Sequence, residues 1–262
     1  MRRFAITNYY LTKKESMIYK ILPAVLFLLF SFSTSNSTSS KPKNSKPATH
    51  AEVTISSKVI VSSLDAKVEM VYSSLHSDKF ALPKLESFAV ALKGYYSLKE
   101  KGLIKKDILT LVDFSLSSNT KRLWVIDLTT GNVLFHSLVA HGRNTGEEFA
   151  NNFSNSAESF KSSLGFYSTG EIYNGKHGMS LRLDGLEKGV NDNARARGVV
   201  MHAADYVSNS FIKNNHRLGR SQGCPAVPAE LSKEIISVIK DKSCFFIYHP
   251  SRASKFGAKS IS

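Results

Sequence analysis

Apolar and polar positions follow two different rhythms along this chain, and the rhythm changes near residue 112. Before that point, Val68, Met70, Val71 and Leu75 recur at helical spacing. Leu82, Leu85, Phe88, Ala89, Ala91, Leu92 and Tyr95 form a second, longer stripe. Apolar side chains three and four apart share one face of a helix, so both stretches predict amphipathic helices. Pro83 suits the first turn of the second, where an N–H has no helical partner anyway, and Gly102 suits its end. Ile104, Ile108, Leu109 and Leu111 predict a third, short helix. No reactive side chain stands out in residues 58–112, and packing is their expected role.

After Asp113 the rhythm becomes that of short strands. Residues 122–128 and 133–139 are apolar runs joined by Thr129-Thr130-Gly131-Asn132, which predicts a β-hairpin. Residues 165–169, 180–183 and 198–202 are further strand candidates. Residues 228–240 place Leu231, Ile235, Ile236 and Ile239 on one helical face, and residues 244–248 read as a closing, buried strand. Twelve of the fifteen glycines lie between Gly131 and Gly223, which favours tight turns over long helices there. The expected fold class is mainly β with flanking helices, an α+β arrangement in which residues 113–262 form the principal domain.

The N-terminus has a different texture. Residues 21–30 are an apolar run preceded by lysines and followed by small residues, the layout of a secretory signal. The run is short for a bilayer span, which needs about 20 residues. Residues 1–35 are therefore expected to be a signal peptide or an N-terminal anchor, with Met17 as an alternative start. Residues 36–57, rich in Ser, Thr, Asn, Lys and Pro, lack the apolar surface to fold and read as a flexible linker. Formal net charge is +14. Arg2, Arg3, Lys13, Lys14 and Lys20 against Glu15 account for +4 of it, leaving +10 on the rest. A basic chain suits an anionic envelope polymer, a membrane surface or nucleic acid. Export removes nucleic acid as a partner and leaves membrane contact to the signal or anchor segment.

The chemistry concentrates in Arg217-Leu218-Gly219-Arg220-Ser221-Gln222-Gly223-Cys224-Pro225, preceded by a strand ending in Met201-His202. A thiol is a nucleophile only as thiolate, which nearby cations and backbone N–H groups favour. Cys224 reads as a nucleophile and His202 as its base, with Arg217 and Arg220 supplying positive charge. The amides of Gln222, Gly223 and Cys224 are candidates for an oxyanion hole. His202 also needs an acceptor for its second nitrogen, either Ser221 or a backbone carbonyl. Two other readings stay open on pattern alone. One is a disulfide between Cys224 and Cys244, natural in an exported protein. The other is a zinc site with His202 and Asp205 plus His216, His249 or Cys224 as ligands, although the spacings match no compact metal motif.

The strand histidine followed by Ser-Gln-Gly-Cys resembles the signature of the L,D-transpeptidase catalytic domain, the YkuD-like fold, and its murein L,D-transpeptidase branch in particular. Residues 139–146 (Val-Ala-His-Gly-Arg-Asn-Thr-Gly), 153–155, 162–167, 175–186 and 199–208 carry the resemblance further, over about residues 105–250. It implies a β-sandwich or barrel preceded by a small helical segment, acting on peptidoglycan stem peptides with no cofactor. Cys224 would attack the L,D peptide bond after the third stem residue, with His202 as base and Ser221 and Gly223 as loop residues positioning them. The thioester would pass to an amine: a second stem peptide, a free D-amino acid or an envelope protein lysine. Transfer to water would make the protein an L,D-carboxypeptidase or thiol amidase, and loss of chemistry a cell-wall-binding module. The chain departs from the commoner pattern at Gln222, where many relatives have a second histidine, and at Pro225-Ala226-Val227, where many carry polar groups near the substrate carboxylate. That role would fall to Arg220 or Arg217, with Gln222, His141 and Tyr167 as further substrate contacts. Arg143 and His177 are additional cleft candidates.

Overall fold

The alternating half of the chain forms one mixed sheet. The computed structural model describes residues 63–252. Its strands are β1 (Ile108–Asp113), β2 (Leu123–Asp127), β3 (Asn132–Ser137), β4 (Gly165–Gly175), β5 (Gly178–Gly185), β6 (Val200–Ala203), β7 (Ala226–Val227) and β8 (Cys244–Tyr248). Their spatial order is β3-β2-β1-β8-β4-β5-β6-β7. The helices are α1 over residues 63–73, α2 (Leu85–Glu100), α3 (Asn209–Asn215) and α4 (Ala229–Ile239). The expected signal or anchor at residues 1–35 and linker at 36–57 lie outside the described residues. The described residues are mostly β with a few helices, as the pattern of the chain predicts.

Strand alternation explains the layering. On β1, β2 and β8, Leu109, Leu111, Trp124, Ile126, Cys244, Phe246 and Tyr248 face one cluster, which α2 completes with Phe88, Ala91, Leu92, Tyr95 and Leu98. Val112, Leu123, Val125, Phe245 and Ile247 face the other, filled by Ile235, Ile236 and Ile239 of α4. The sheet thus lies between two helical layers. Where a helix is expected over residues 104–111, the strand β1 (Ile108–Asp113) forms instead. β1 pairs in parallel with β8 and antiparallel with β2, and it is apolar on both faces because both are covered. Such a run does not distinguish strand from helix by periodicity. The ends of α2 behave as expected: the Gly102 N–H meets Lys99 O at 2.9 Å and the Leu103 N–H meets Leu98 O at 3.0 Å, satisfying its last carbonyls.

The edges of the sheet approach one another. Beyond β3 the chain crosses to the opposite edge, where Ala140 bridges Ala226 of β7 and Gly142 bridges Ser221. The sheet is therefore nearly closed, and the Cys224 loop sits at the seam. Leu138, Ala140, Ala204, Val207, Leu218 and Ala226 form a small apolar cluster supporting that seam. Sequence reading missed α3 and β7, whose seven and two residues carry no usable periodicity.

Candidate active site

Ser221 fixes the shape of the loop. Its N–H donates to His141 O at 2.9 Å and its carbonyl accepts from Arg143 N–H at 2.8 Å, so backbone bonds on both sides tie it to the seam. Its hydroxyl donates to Cys224 O at 2.7 Å and accepts from Gly223 N–H at 3.0 Å. The tight turn needs glycine at 223. There φ is +119°, and a Cβ would lie 2.8 Å from Lys161 O. Buried Ser162 adds a second tie, accepting from Gly142 N–H at 3.0 Å and donating to Gly223 O at 3.3 Å. The Gly223 N–H is committed to Ser221 Oγ, which removes it from the three amides expected as oxyanion-hole candidates.

The loop delivers Cys224 to the start of β6. Its Sγ lies 3.5 Å from Val200 N, which donates to it, and 3.7 Å from Gly198 O, which accepts its S–H. His202 stands further along β6, between Ser180 of β5 and Ala226 of β7. Its Nδ1 lies 2.8 Å from Ala203 O. A carbonyl only accepts, so in the neutral ring Nδ1 carries the proton and Nε2 keeps a lone pair. The acceptor left open by sequence reading is therefore this backbone carbonyl and not Ser221, whose hydroxyl is engaged within the loop.

Cys224, His202, Ser221, Gln222 and Arg220 line one cleft of about 640 Å³, together with Arg143, Lys176, His177 and Arg197. The cleft is strongly cationic. Burial pushes the Cys224 thiol above its ordinary pKa, against the opposing pull of the Val200 N–H, Arg197 and Lys176. Burial likewise holds His202 below its ordinary value, with Ala203 O acting in the other direction and His177 and Lys176 adding to the depression. The resting pair is therefore neutral thiol and neutral imidazole.

The cations acting on the thiol differ from those expected. Arg217 and Arg220 both bind Glu147, at 2.9 and 2.6 Å, so a carboxylate offsets their charge. Arg220 still borders the cleft, and Arg217 does not. Arg197, which sequence reading missed, instead donates to Ser154 O at 2.9 Å, Ser163 Oγ at 2.5 Å and Lys161 O at 2.7 Å. Its bonds go to neutral acceptors, so no carboxylate is paired with its charge. Only its position just before the β6 strand hinted at this.

Two other expected substrate contacts sit elsewhere. Tyr167 is fully buried in the core, its hydroxyl donating to Ser163 O at 2.9 Å. His141 is buried beneath the seam. It accepts from Arg122 Nη2 at 2.8 Å through Nδ1 and bonds Gly146 O at 3.1 Å through Nε2. Burial and the Arg122 charge push it down to about 4, so it is neutral at pH 7. Both cysteines are free thiols, so no Cys224–Cys244 disulfide forms. Among the described residues no three His, Cys, Asp or Glu side chains converge as metal ligands. No described helix is long and apolar enough to cross a membrane.

The family model for the L,D-transpeptidase catalytic domain matches residues 82–248. The chain belongs to this family. No curated protein sequence matches the chain significantly. Solved structures similar to this L,D-transpeptidase domain include an L,D-transpeptidase from Mycobacterium smegmatis, 13% identical, covering 55% of this chain and 59% of that one at a TM-score of 0.34. Another is the helical cell shape determining protein Pgp2 from Campylobacter jejuni, 15% identical, covering 59% and 53% at 0.36. A third is L,D-transpeptidase 1 from Mycobacterium tuberculosis, 10% identical, covering 55% and 62% at 0.31. The match thus spans between half and two thirds of the length of these structures.

Proposed function

We propose that the protein is a cysteine-dependent peptidoglycan L,D-transpeptidase of the bacterial envelope, with Cys224 as nucleophile and His202 as general base. The observation that carries this reading is the placement of both side chains in one cationic cleft, with the His202 tautomer set by Ala203 O. Nε2 takes the thiol proton as Sγ attacks the carbonyl carbon after the third stem residue. The resulting oxyanion is met by the amides of Gln222 and Cys224. The C–N bond then breaks, the departing D-amino acid takes the proton from His202, and a thioester remains on Cys224. An acceptor amine attacks the thioester and gives its proton to His202. The S–C bond breaks and the thiolate is reprotonated. The lining carries Arg143, Lys176, Arg197 and Arg220 against Glu158, a net positive charge that suits a substrate rich in carboxylates, with Arg197 contributing charge while its Nη groups stay bonded within the protein. Export rests on the signal-like residues 1–35.

Incubation with tetrapeptide muropeptides, read by mass, tests the proposal. The expected products are a tripeptide thioester on Cys224 followed by cross-linked dimers or D-amino acid exchange products. Tripeptide without either transfer product would move the protein to the hydrolytic reading. No conversion at all, with sacculus binding intact in Cys224→Ala, would make it a wall-binding module.

A further inference from the structure

β5, with its partner β4, extends past the Ser180–His202 pair that ends its ladder with β6, and a two-residue turn, Lys176-His177, joins the paired glycines Gly175 and Gly178. Gly178 has φ of +74°, and a Cβ there would meet nothing within 4 Å. Backbone conformation, not crowding, therefore calls for glycine and directs the turn. The exposed His177 ring lies parallel to the His202 ring, with centroids 4.4 Å apart and an interplanar angle of 19°. No core burial holds His177 there, and its ring contact is with the side chain that must accept the Cys224 proton. The Nδ1 bond to Ala203 O fixes one edge of the buried His202 ring, and the packing around it limits its tilt without setting the ring plane alone. A flat ring stacked on its face removes the tilt. Together the two constraints specify one direction for Nε2. The Lys176 charge on the same turn also acts on His202.

We propose that His177 is a positioning residue for His202, holding the imidazole plane by stacking and leaving the proton transfer itself to His202. This inference rests on the reading of His202 as the base. The experiment compares acylation of the full chain by a tetrapeptide stem in wild type, His177→Ala, His177→Phe and His202→Ala. His177→Ala is expected to lower the acylation kcat about tenfold with KM unchanged, the scale of losing one stacked ring pair at a reacting centre. His177→Phe, which restores a flat face without a titratable nitrogen, is expected to recover the rate to within about twofold. The melting temperature should stay put in both, because the residue is exposed on a turn. A wild-type rate in His177→Ala, an equal loss in His177→Ala and His177→Phe, or a raised KM at unchanged kcat would each overturn the positioning role. Loss of activity in His202→Ala alongside wild-type activity in His177→Ala sinks only this inference. Full activity in His202→Ala, or an inactive wild type, sinks the base assignment together with it.

Discussion

The two thiols, twenty residues apart, occupy opposite kinds of surroundings. Cys244 opens β8, opposite Leu109 of β1 and Ser168 of β4, within the cluster that α2 covers. Burial alone acts on it and pushes its pKa far above the ordinary range. Cys224 is also pushed up by burial, but a backbone N–H, Arg197 and Lys176 pull the other way. Acidity alone thus separates the two poorly, since both are protonated at neutral pH. What separates them is the surroundings: Cys224 shares its cleft with the His202 imidazole, and a backbone N–H, Arg197 and Lys176 act on its sulfur, the groups the proposed chemistry calls for. Cys244 has packing partners and no acceptor of that kind. The proposed reactivity of Cys224 therefore rests on its neighbours' dipoles and charges more than on exposure.

Exchanging each thiol for alanine tests the contrast most severely. Cys224→Ala is expected to reduce transfer by about 10⁴-fold or more while leaving the fold intact. Cys244→Ala should keep the transfer rate and cost about 1–2 kcal/mol in chemical denaturation, because a small cavity opens between β8 and α2. Activity that survives the first and vanishes in the second would reverse the assignment. One step smaller is Gly223→Ala. A positive φ and a Cβ only 2.8 Å from Lys161 O force the loop to shift, and a displacement on the scale of an ångström at a reacting atom costs about 100-fold. Acylation rates should fall by that factor, and the strain should also cost about 1–2 kcal/mol in chemical denaturation. An unaffected rate would mean that loop geometry does not hold Sγ. Smaller again is Ser221→Ala, which removes one donor to Cys224 O and one acceptor from Gly223 N–H. The loop keeps its backbone bonds to His141 and Arg143, so an about tenfold loss in single-turnover acylation is expected.

Much of this contrast was legible in the chain. The β2–β3 hairpin, β8 and α4 announce themselves by alternation or by a helical stripe, because one face of each is buried against a single partner. The β1 strand did not, since being covered on both faces erased its alternation. Cys224, Ser221 and Gly223 stood out through the glycine-bounded loop, and His202 through its place at a strand end. The substrate contacts were less legible. Tyr167 and His141 are polar-tipped residues in motif-bearing segments, but neighbouring side chains that pair with them only in three dimensions, Ser163 and Arg122, turn both inward. Arg217 and Arg220 looked like the activating cations because they are local in sequence. Glu147, some seventy residues away, binds both, and Arg197 on the approach to β6 supplies the charge instead.

That last substitution of one cation for another gives the finest test, through the pH dependence of alkylation. A raised thiol pKa means that thiolate is scarce below the ordinary thiol range and becomes abundant only as pH climbs above it. Iodoacetamide should therefore label native Cys224 more slowly at neutral pH than an unstructured thiol, with the rate rising on the alkaline side, and Cys244 only after unfolding. Removing the Arg197 charge takes away one of the groups that favour thiolate. Arg197→Gln should shift the profile to higher pH and slow labelling at a given pH by about threefold, whereas Arg197→Lys, which keeps the charge, should shift it less. A profile already flat through neutral pH would mean that Cys224 and His202 rest as thiolate and imidazolium, and that their mutual attraction outweighs the burial acting on both. A profile indifferent to Arg197→Gln would return the activating charge to Arg220, whose bond to Glu147 would then have to open when substrate enters.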